Sequence, residues 1–305
     1  GTVTAEALMI ATLDHVDAVN PALNAIVSRV DRETLLAQAR AADAGPRKGP
    51  LHGLPIAVKD LADVAGIPTS MGCAALAGMV PRTSDVMVQR MIDAGAIVIG
   101  KTNTPEFGLG SHTYNPVFGA TRNAIDSSRS AGGSSGGAAL ALAARMTSIA
   151  DGSDMMGSLR NPAGWNEIYG LRPTWGAVPS EPKGDTFLHQ LSTGGPMARS
   201  PADLALLLDV QAGRDPRQPH SLNHTPVAGR LDADVSGRKI AWLGDWSGAY
   251  PMEAGVMDHA AAAVARAARR RAAAAAALHR PSGRRRRADL PTLRRRCAAP
   301  ITTPR

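Results

Sequence analysis

Short, fully apolar runs alternate with helical patterns along this chain, and that alternation limits the folds it can adopt. Residues 54–58 and 96–99 each predict a buried strand, because both runs are short and apolar and the second is mostly β-branched. Between them, Ser84 and Asp85 can cap a helix that carries apolar side chains on one face, at positions 88, 91 and 92, and ends at Gly95. Strands separated by helices predict a layered α/β domain.

The remaining elements are predicted from similar local patterns of apolar, polar and turn-forming residues. Two helices are predicted over residues 3–44, with Asn20-Pro21 ending the first and the second running over 22–42. Residues 115–137 are rich in Asn, Ser and Gly and predict a loop. The other predicted elements are helices over 138–146, 201–211 and 260–277, a turn opening a helix over 155–163 after the polar residues 151–154, and strands over 148–150 and 239–243.

The net charge of +8 is concentrated at one end of the chain. Residues 261–305 hold thirteen Arg against the single acid Asp289, a balance of +12, which leaves −4 for residues 1–260. Two explanations stay open: a basic arm that binds nucleic acid by releasing counterions, or a stretch read out of frame from a GC-rich gene. We favour the second, and expect a folded domain over 1–260, a disordered or out-of-frame tail over 261–305, and no nucleic-acid partner.

Composition argues against several other classes of protein. The longest uncharged apolar runs, such as residues 272–278, are far shorter than the roughly 18 residues that a membrane span needs, so no membrane partner is expected. The 2 Cys have no paired spacing, which favours neither disulfides nor a thiolate metal site and predicts a reducing, cytoplasmic location. The 8 His are scattered, and we predict neither a metal nor a cofactor.

Two local motifs match known patterns but lack the required context. Residues 95–102 fit the phosphate-loop pattern G-x-x-x-x-G-K-T, yet a strand-like tetrapeptide occupies the loop, so we reject a nucleotide site. Residues 132–136 fit the nucleophile-elbow pattern G-x-S-x-G without the hydrophobic strand that should precede it. An α/β-hydrolase triad with His189, His220 or His224 remains a distant alternative.

Several blocks in the middle of the chain contain the residue types that serine-based amide hydrolysis requires. Lys59 ends a predicted strand, Ser134 lies in a Gly/Ser loop, and Ser158 stands where a helix is predicted to begin. The blocks are GLPIAVKD at 53–60, GKTNTPEF at 100–107, AGGSSGG at 131–137, DGSDMMGSLRNPA at 151–163, GLRPT at 170–174 and GPMAR at 195–199. In this order they resemble the amidase signature family, from about residue 5 to about residue 259.

The resemblance implies a mixed central β-sheet covered by helices, and it assigns roles to matching residues. Lys59 resembles the family's catalytic lysine, Ser134 its bridging serine after a cis peptide bond, and Ser158 its acyl-accepting nucleophile. Ser134 and Ser158 are 24 residues apart, as in the family. The implied oxyanion hole consists of the backbone N–H groups of Met155, Met156, Gly157 and Ser158, and the implied supporting residues are Ser135, Asp154 and Arg160.

A serine hydroxyl becomes a good nucleophile only when a base removes its proton. In the implied arrangement an uncharged Lys59 takes the proton of Ser134, which takes that of Ser158. Burial at the end of a strand can lower the lysine pKa from its usual value of about 10.4. We expect the Asp60 carboxylate to point away from the amine, because a facing negative charge would oppose that shift.

The resemblance implies an amidase that converts a carboxamide to a carboxylate and an amine or ammonia, without metal or cofactor. A small-molecule amide is the expected partner, and a homodimer is left open. Met155-Met156 stands where many members have Thr-Gly. This departure favours a broad-specificity amidase over the relative that releases ammonia from glutamine for tRNA-linked transamidation.

The family also extends well beyond the length of this chain. We therefore expect a frameshift within residues 260–268 to have replaced the C-terminal part, leaving the catalytic residues present but the central sheet incomplete. The contrasting hypothesis is a protein without catalytic activity, either a truncated relic or a binder that uses its basic tail.

Overall fold

Helices and strands alternate through the first of two units, Gly1–Asp232 and Ala233–Arg305. The computed structural model describes residues 2–185, 187–188, 190–234, 239 and 241–271. The helices are α1 (Ala5–Leu23), α2 (Arg32–Ala44), α3 (Val86–Asp93), α4 (Gly136–Ala143), α5 (Arg160–Trp165), α6 (Pro201–Gln211) and, in the second unit, α7 (Val256–Arg271). The strands are β1 (Ile26–Val27), β2 (Pro55–Lys59), β3 (Ile97–Thr102), β4 (Tyr114–Asn115), β5 (Gly119–Ala120), β6 (Ile149–Asp154), β7 (Tyr169–Gly170) and β8 (Thr193–Ala198). Short 3₁₀ helices lie at Ala74–Leu76, Glu106–Gly108 and Ala228–Arg230.

A mixed sheet and an antiparallel sheet form the centre of the first unit. In the mixed sheet the order is β1-β3-β2, with β2 parallel and β1 antiparallel to β3. In the antiparallel sheet, β8 lies between β6 and β7. β4 and β5 pair as a short antiparallel ribbon. The predicted α/β fold with a mixed sheet is confirmed.

Alternate side chains of β3 pack on opposite faces of the mixed sheet. Ile97 and Ile99 join an apolar cluster with residues of α1, α2 and α4, whereas Val98 joins another with residues of α3 and α6. This period of two places helices on both faces. α4 consists of Gly, Ala and Leu and is buried from Gly136 to Leu142, as expected of a helix that is apolar around its whole circumference.

The structure corrects the predicted boundary between the first two helices. α1 continues through Asn20-Pro21, and the Asn20 side chain supports the following turn by accepting two backbone N–H groups. Asn24 then ends the helix in the left-handed region, at φ 56°. The predicted second helix over 22–42 starts too early, because β1 pairs with β3 in this segment and α2 begins only after its capping residue Asp31.

Strand β6 is longer than the predicted strand at 148–150, because the polar residues 151–154 continue it. Residues Ile149 to Asp154 all pair with β8, and this pairing provides partners for their backbone N–H and C=O groups. The polar side chains of this segment give no sign of a strand in the sequence. The helix expected within 155–163 begins only at Arg160, after a turn. α6 coincides with the helix predicted over 201–211.

In the second unit, residues 239 and 241–243 form no strand, contrary to the prediction, since no described strand pairs with them; residue 240 lies outside the described residues. The helix predicted over 260–277 is present as far as Arg271, in α7. Residues 272–305 of the basic tail lie outside the described residues. Within the described part of the chain, no helix combines the length and apolarity that a membrane crossing requires.

Candidate active site

Lys59 is the last residue of β2, and its amine is surrounded by serine hydroxyls. The side chain is only 1% exposed, because the strand that delivers it is buried along its whole length. Its Nζ lies 2.8 Å from Ser134 Oγ, 2.8 Å from Ser135 Oγ and 3.0 Å from Ser153 Oγ. A neutral amine has two N–H donors and one lone pair, so three neighbouring hydroxyls can satisfy it completely.

The Gly/Ser segment that precedes α4 is held rigidly beside Lys59. The Gly133–Ser134 peptide bond is cis, and Ser134 and Ser135 are both buried. Thr113 Oγ1 donates to the Gly132 carbonyl at 2.8 Å, and Thr104 Oγ1 donates to the Ser134 carbonyl at 3.0 Å. These hydroxyls anchor the backbone on both sides of the cis bond.

Burial controls the protonation of Lys59. Removal from water lowers its pKa from 10.5 to about 7, although the charges of Asp151 and Asp154 oppose the change. As expected, Asp60 points elsewhere: its carboxylate accepts the Ser70 hydroxyl at 2.6 Å and lies 3.7 Å from Lys101 Nζ. A substantial fraction of Lys59 is therefore uncharged near neutral pH and can accept a proton.

Ser158 lies in the turn between β6 and α5, next to the Gly/Ser segment. The Ser135 backbone N–H donates to the Ser158 carbonyl at 3.3 Å, which joins the two segments. No hydrogen bond among the described residues connects the hydroxyls of Ser134 and Ser158. The structure therefore brings Lys59 and Ser134 into contact. It places Ser158 next to the segment of Ser134, but without a hydrogen bond between the two serine hydroxyls.

Asp154 organises the turn that carries Ser158. Its carboxylate accepts the N–H groups of Gly157 at 2.7 Å and Leu159 at 3.1 Å, and it accepts both Nε and Nη2 of Arg160, at 3.0 and 3.1 Å. Burial opposes the charged form, but these donors outweigh it and hold the Asp154 pKa below its ordinary value. Asp154 thus remains an anion that fixes the turn.

These contacts correct one member of the expected oxyanion hole. The Gly157 N–H points at the Asp154 carboxylate and is already engaged, because the turn closes on that side chain. The backbone N–H groups of Met155, Met156 and Ser158 make no hydrogen bond within the described part of the chain. Met156 is 80% exposed and presents its side chain to solvent.

Sequence reasoning missed two polar residues of β6 that face Lys59. The Asp151 carboxylate accepts the Lys59 backbone N–H, with its two oxygens 3.1 and 3.3 Å from the nitrogen, and Ser153 contacts the lysine amine. Asp151 and Ser153 share one face because they are two residues apart on a strand. The two-residue spacing of Asp151 and Ser153 is visible in the sequence, but it indicates a shared face only if residues 151–154 are recognised as a strand.

The surroundings provide further cavities and side chains. A cavity of about 230 Å³ opens beside Lys59, and a larger one of about 540 Å³ lies between α2 and β3, away from these serines.

The histidines considered for a hydrolase triad have other partners or lie outside the described residues. His224 Nε2 lies 2.7 Å from Asp209 Oδ1, and His220 packs against Trp175. His189 lies outside the described residues. Among the residues that the structure describes, no group of three His, Cys, Asp or Glu is placed to hold a metal ion.

Comparison with known proteins places the chain in a family. A sequence model described as "Amidase" matches residues 7–275. The chain is 42% identical to the A-type subunit of the glutamyl-tRNA(Gln) amidotransferase of Acidothermus cellulolyticus, over 81% of this chain and 50% of that protein. It is 41% identical to an acylamidase of Rhodococcus erythropolis, over 76% of this chain and 50% of that protein.

Solved structures show the same relationship. One is a bacterial aryl acylamidase of the amidase signature family, with a TM-score of 0.83 and 30% identity over 89% of this chain and 57% of that chain. A peptide amidase in complex with chymostatin has a TM-score of 0.78 and 32% identity, over 88% of this chain and 58% of that chain. The chain thus spans about half the length of the curated relatives it matches.

Proposed function

The chain belongs to the amidase family, and on this basis we propose that it hydrolyses a carboxamide to a carboxylate and an amine or ammonia. One observation carries the proposal: the Lys59 amine, with a pKa of about 7, lies 2.8 Å from the Ser134 hydroxyl in a buried site. A base with a pKa near the working pH is effective in proton transfer. We assign the activity to residues 1–260, which contain every proposed site residue.

The proposed first step is attack by Ser158. Uncharged Lys59 accepts the proton of Ser134 while Ser134 accepts that of Ser158, and Ser158 Oγ bonds to the amide carbon. The Ser158 hydroxyl has to turn toward Ser134 for this step, and contacts of this kind often tighten only when substrate binds. The proton then passes through Ser134 to the leaving nitrogen, the C–N bond breaks, and water hydrolyses the acyl-enzyme.

The developing oxyanion needs donors at the turn after β6. We propose the N–H groups of Met155, Met156 and Ser158 for this role, since that of Gly157 is bound to Asp154. Losing one such donor typically costs on the order of 3 kcal/mol of transition-state stabilisation. Asp154 and Arg160 act as positioning residues that hold the turn, and Ser135 helps to orient the Lys59 amine.

The side chain of Met156 supports a small-molecule amide of broad acyl specificity as the substrate. Its exposed, flexible thioether stands two residues from Ser158 and offers an adaptable apolar surface. The 42% identity to the tRNA-dependent amidotransferase favours a second candidate, the side-chain amide of glutamine. Release of ammonia from glutamine compared with release of amine from simple acylamides distinguishes the two.

Labelling with a fluorophosphonate tests the proposed activity. We expect the full chain to be modified at Ser158, as located by mass spectrometry of its peptides, and Ser158→Ala to prevent modification. Ser148→Ala is a suitable control, because Ser148 is exposed and precedes β6. Folded protein that resists labelling under these conditions contradicts the proposal and favours the relic without catalytic activity.

A further inference from the structure

A gap in the backbone pairing separates the two strands that carry the site. β2 pairs with β3 and β6 pairs with β8, but the described residues contain no backbone ladder between β2 and β6, although these strands lie in contact. The Lys59 N–H faces this gap and has the Asp151 carboxylate as its partner. A side chain therefore supplies the hydrogen bond that a neighbouring strand normally provides.

The carboxylates around Lys59 differ in whether a positively charged side chain lies beside them. Asp154 is paired with Arg160 and also lies 3.3 Å from Arg172 Nε. Asp60 lies beside Lys101, on the adjacent strand β3. Asp151, only 2% exposed, has no ion pair of its own within the described residues, and the charges of Lys101 and Lys59 both act on its carboxylate.

We propose that Asp151 is a positioning residue for Lys59: its carboxylate fastens the end of β2 to β6 and supplies a negative charge that the lysine faces. This role rests on the proposed function, in which Lys59 alternately accepts and returns a proton. A charge at this position favours the protonated amine, so it limits how far burial weakens the base. Lys59 thereby keeps enough basicity to take the proton from Ser134.

Several charged groups surround Lys59 and Asp151. Burial raises the pKa of Asp151 to about 6, and the Lys59 N–H together with the charges of Lys101 and Lys59 opposes the rise. Asp154 stands on the same strand, and Asp85 and Glu181 line the cavity beside Lys59. Between the titrations of Asp151 and Lys59, an anion thus faces a cation across the gap.

The NMR titration of the lysine Cε carbon measures this charge without any need for turnover. The chain has few lysines, namely Lys48, Lys59, Lys101, Lys183 and Lys239, so the Lys59 resonance can be assigned with Lys59→Met. Asp151→Asn keeps an oxygen that accepts the Lys59 N–H but removes the charge. We expect this variant to lower the Lys59 midpoint by about one pH unit, and an unchanged midpoint overturns the proposal.

Asp85→Asn is the matched control. Asp85 lines the same cavity, but its carboxylate is paired with Lys183 at 2.8 Å, so we expect no shift of the Lys59 midpoint. An equal shift in Asp85→Asn shows a general field rather than a role of Asp151, and it overturns the proposal.

A measurement on the unmodified chain covers the case in which Asp151→Asn does not fold. If Asp151 faces Lys59, the Lys59 resonance changes in two steps, the first near the pKa of Asp151, and a single-step curve contradicts the proposal. These readouts are independent of catalysis. Absence of Ser158 labelling defeats the proposed function but leaves the Lys59–Asp151 coupling measurable, so the two failures are distinguishable.

Discussion

Lys101 Nζ lies 3.7 Å from Asp60 Oδ1, and both side chains are fully buried. Lys101 also donates to the Ala62 carbonyl and to Thr69 Oγ1, so it ties the segment after β2 to β3. This pair draws the Asp60 carboxylate away from the neighbouring Lys59. The two lysines therefore differ in the nearest partners of their amines: the Lys101 amine lies beside the Asp60 carboxylate, whereas the Lys59 amine is surrounded by three serine hydroxyls.

Lys101→Met is expected to destabilise the protein strongly. Removing one partner leaves the Asp60 carboxylate buried without its cation, a change that typically costs about 3–5 kcal/mol. Urea unfolding measures the difference in the free energy of unfolding.

Arg40→Met serves as the comparison for Lys101→Met. Arg40 pairs with Glu6 at 2.9 Å on the surface, where such pairs contribute about 0–1 kcal/mol. Equal losses in the two variants contradict the view that the Lys101–Asp60 pair matters because it is buried.

Lys59→Met tests how burial affects stability as a function of pH. The pKa of Lys59 is about 7 in the folded chain against 10.5 for an exposed lysine, so between these values the unfolded chain binds a proton that the folded chain lacks. Stability of the unmodified chain should therefore rise with pH in this window, by about 1.4 kcal/mol per pH unit. The variant lacks the contribution of Lys59 to this dependence.

Urea unfolding of both proteins from about pH 8 to about pH 10 checks this sign. We expect Lys59→Met to be the more stable protein at the lower pH and its advantage to shrink as pH rises. A difference that stays constant with pH shows that the lysine is not held uncharged in the folded chain.

Much of the fold can be predicted from local sequence patterns, but a strand whose partner is distant in the chain cannot. β3 is predictable because its apolar run is short and mostly β-branched, and α6 coincides with the helix predicted over 201–211. β6 is predictable only in part, because residues 151–154 are Asp, Gly, Ser and Asp and lack the apolar pattern of a strand. Their backbone pairs with β8, 39 to 45 residues later in the chain, and no local pattern in the sequence indicates such a distant partner.

In the candidate site, too, some residues are predictable from the sequence and others are not. Lys59 and Ser134 were predictable from motif and spacing, and the structure places their polar atoms in contact. Asp151 was missed because its role depends on β6 lying beside β2. The engagement of the Gly157 N–H and the orientation of the Ser158 hydroxyl depend on side-chain torsions, which the spacing of residues does not determine.

Gly133→Ala should disturb the segment that carries Ser134. A Cβ at this position would lie 3.0 Å from the His112 nitrogen and 3.1 Å from the Ser111 carbonyl carbon, so it meets backbone that cannot move aside easily. Overpacking of this kind typically costs about 1–3 kcal/mol. Thermal unfolding and the rate of fluorophosphonate labelling should both show a loss.

Gly164→Ala is the matched control for Gly133→Ala. Gly164 lies in α5 and an added Cβ meets nothing within 4 Å, so the substitution should be neutral or stabilising by up to about 1 kcal/mol. A similar loss in both variants means that the tight packing of Gly133 is not what constrains this segment.

Ser134→Ala and Ser135→Ala separate the proposed proton relay from simple packing around Lys59. Both hydroxyls lie 2.8 Å from the amine and both residues are buried, so each variant removes one contact to Lys59, and Ser135→Ala also removes contacts to the Ser153 backbone. Only Ser134 is proposed to pass protons between Lys59 and Ser158, so its loss should slow labelling of Ser158 by about 10²–10⁴-fold. Ser135→Ala should slow labelling much less, because the relay remains intact. Equal effects on the labelling rate, or a larger effect of Ser135→Ala, contradict the assignment of Ser134 as the bridge.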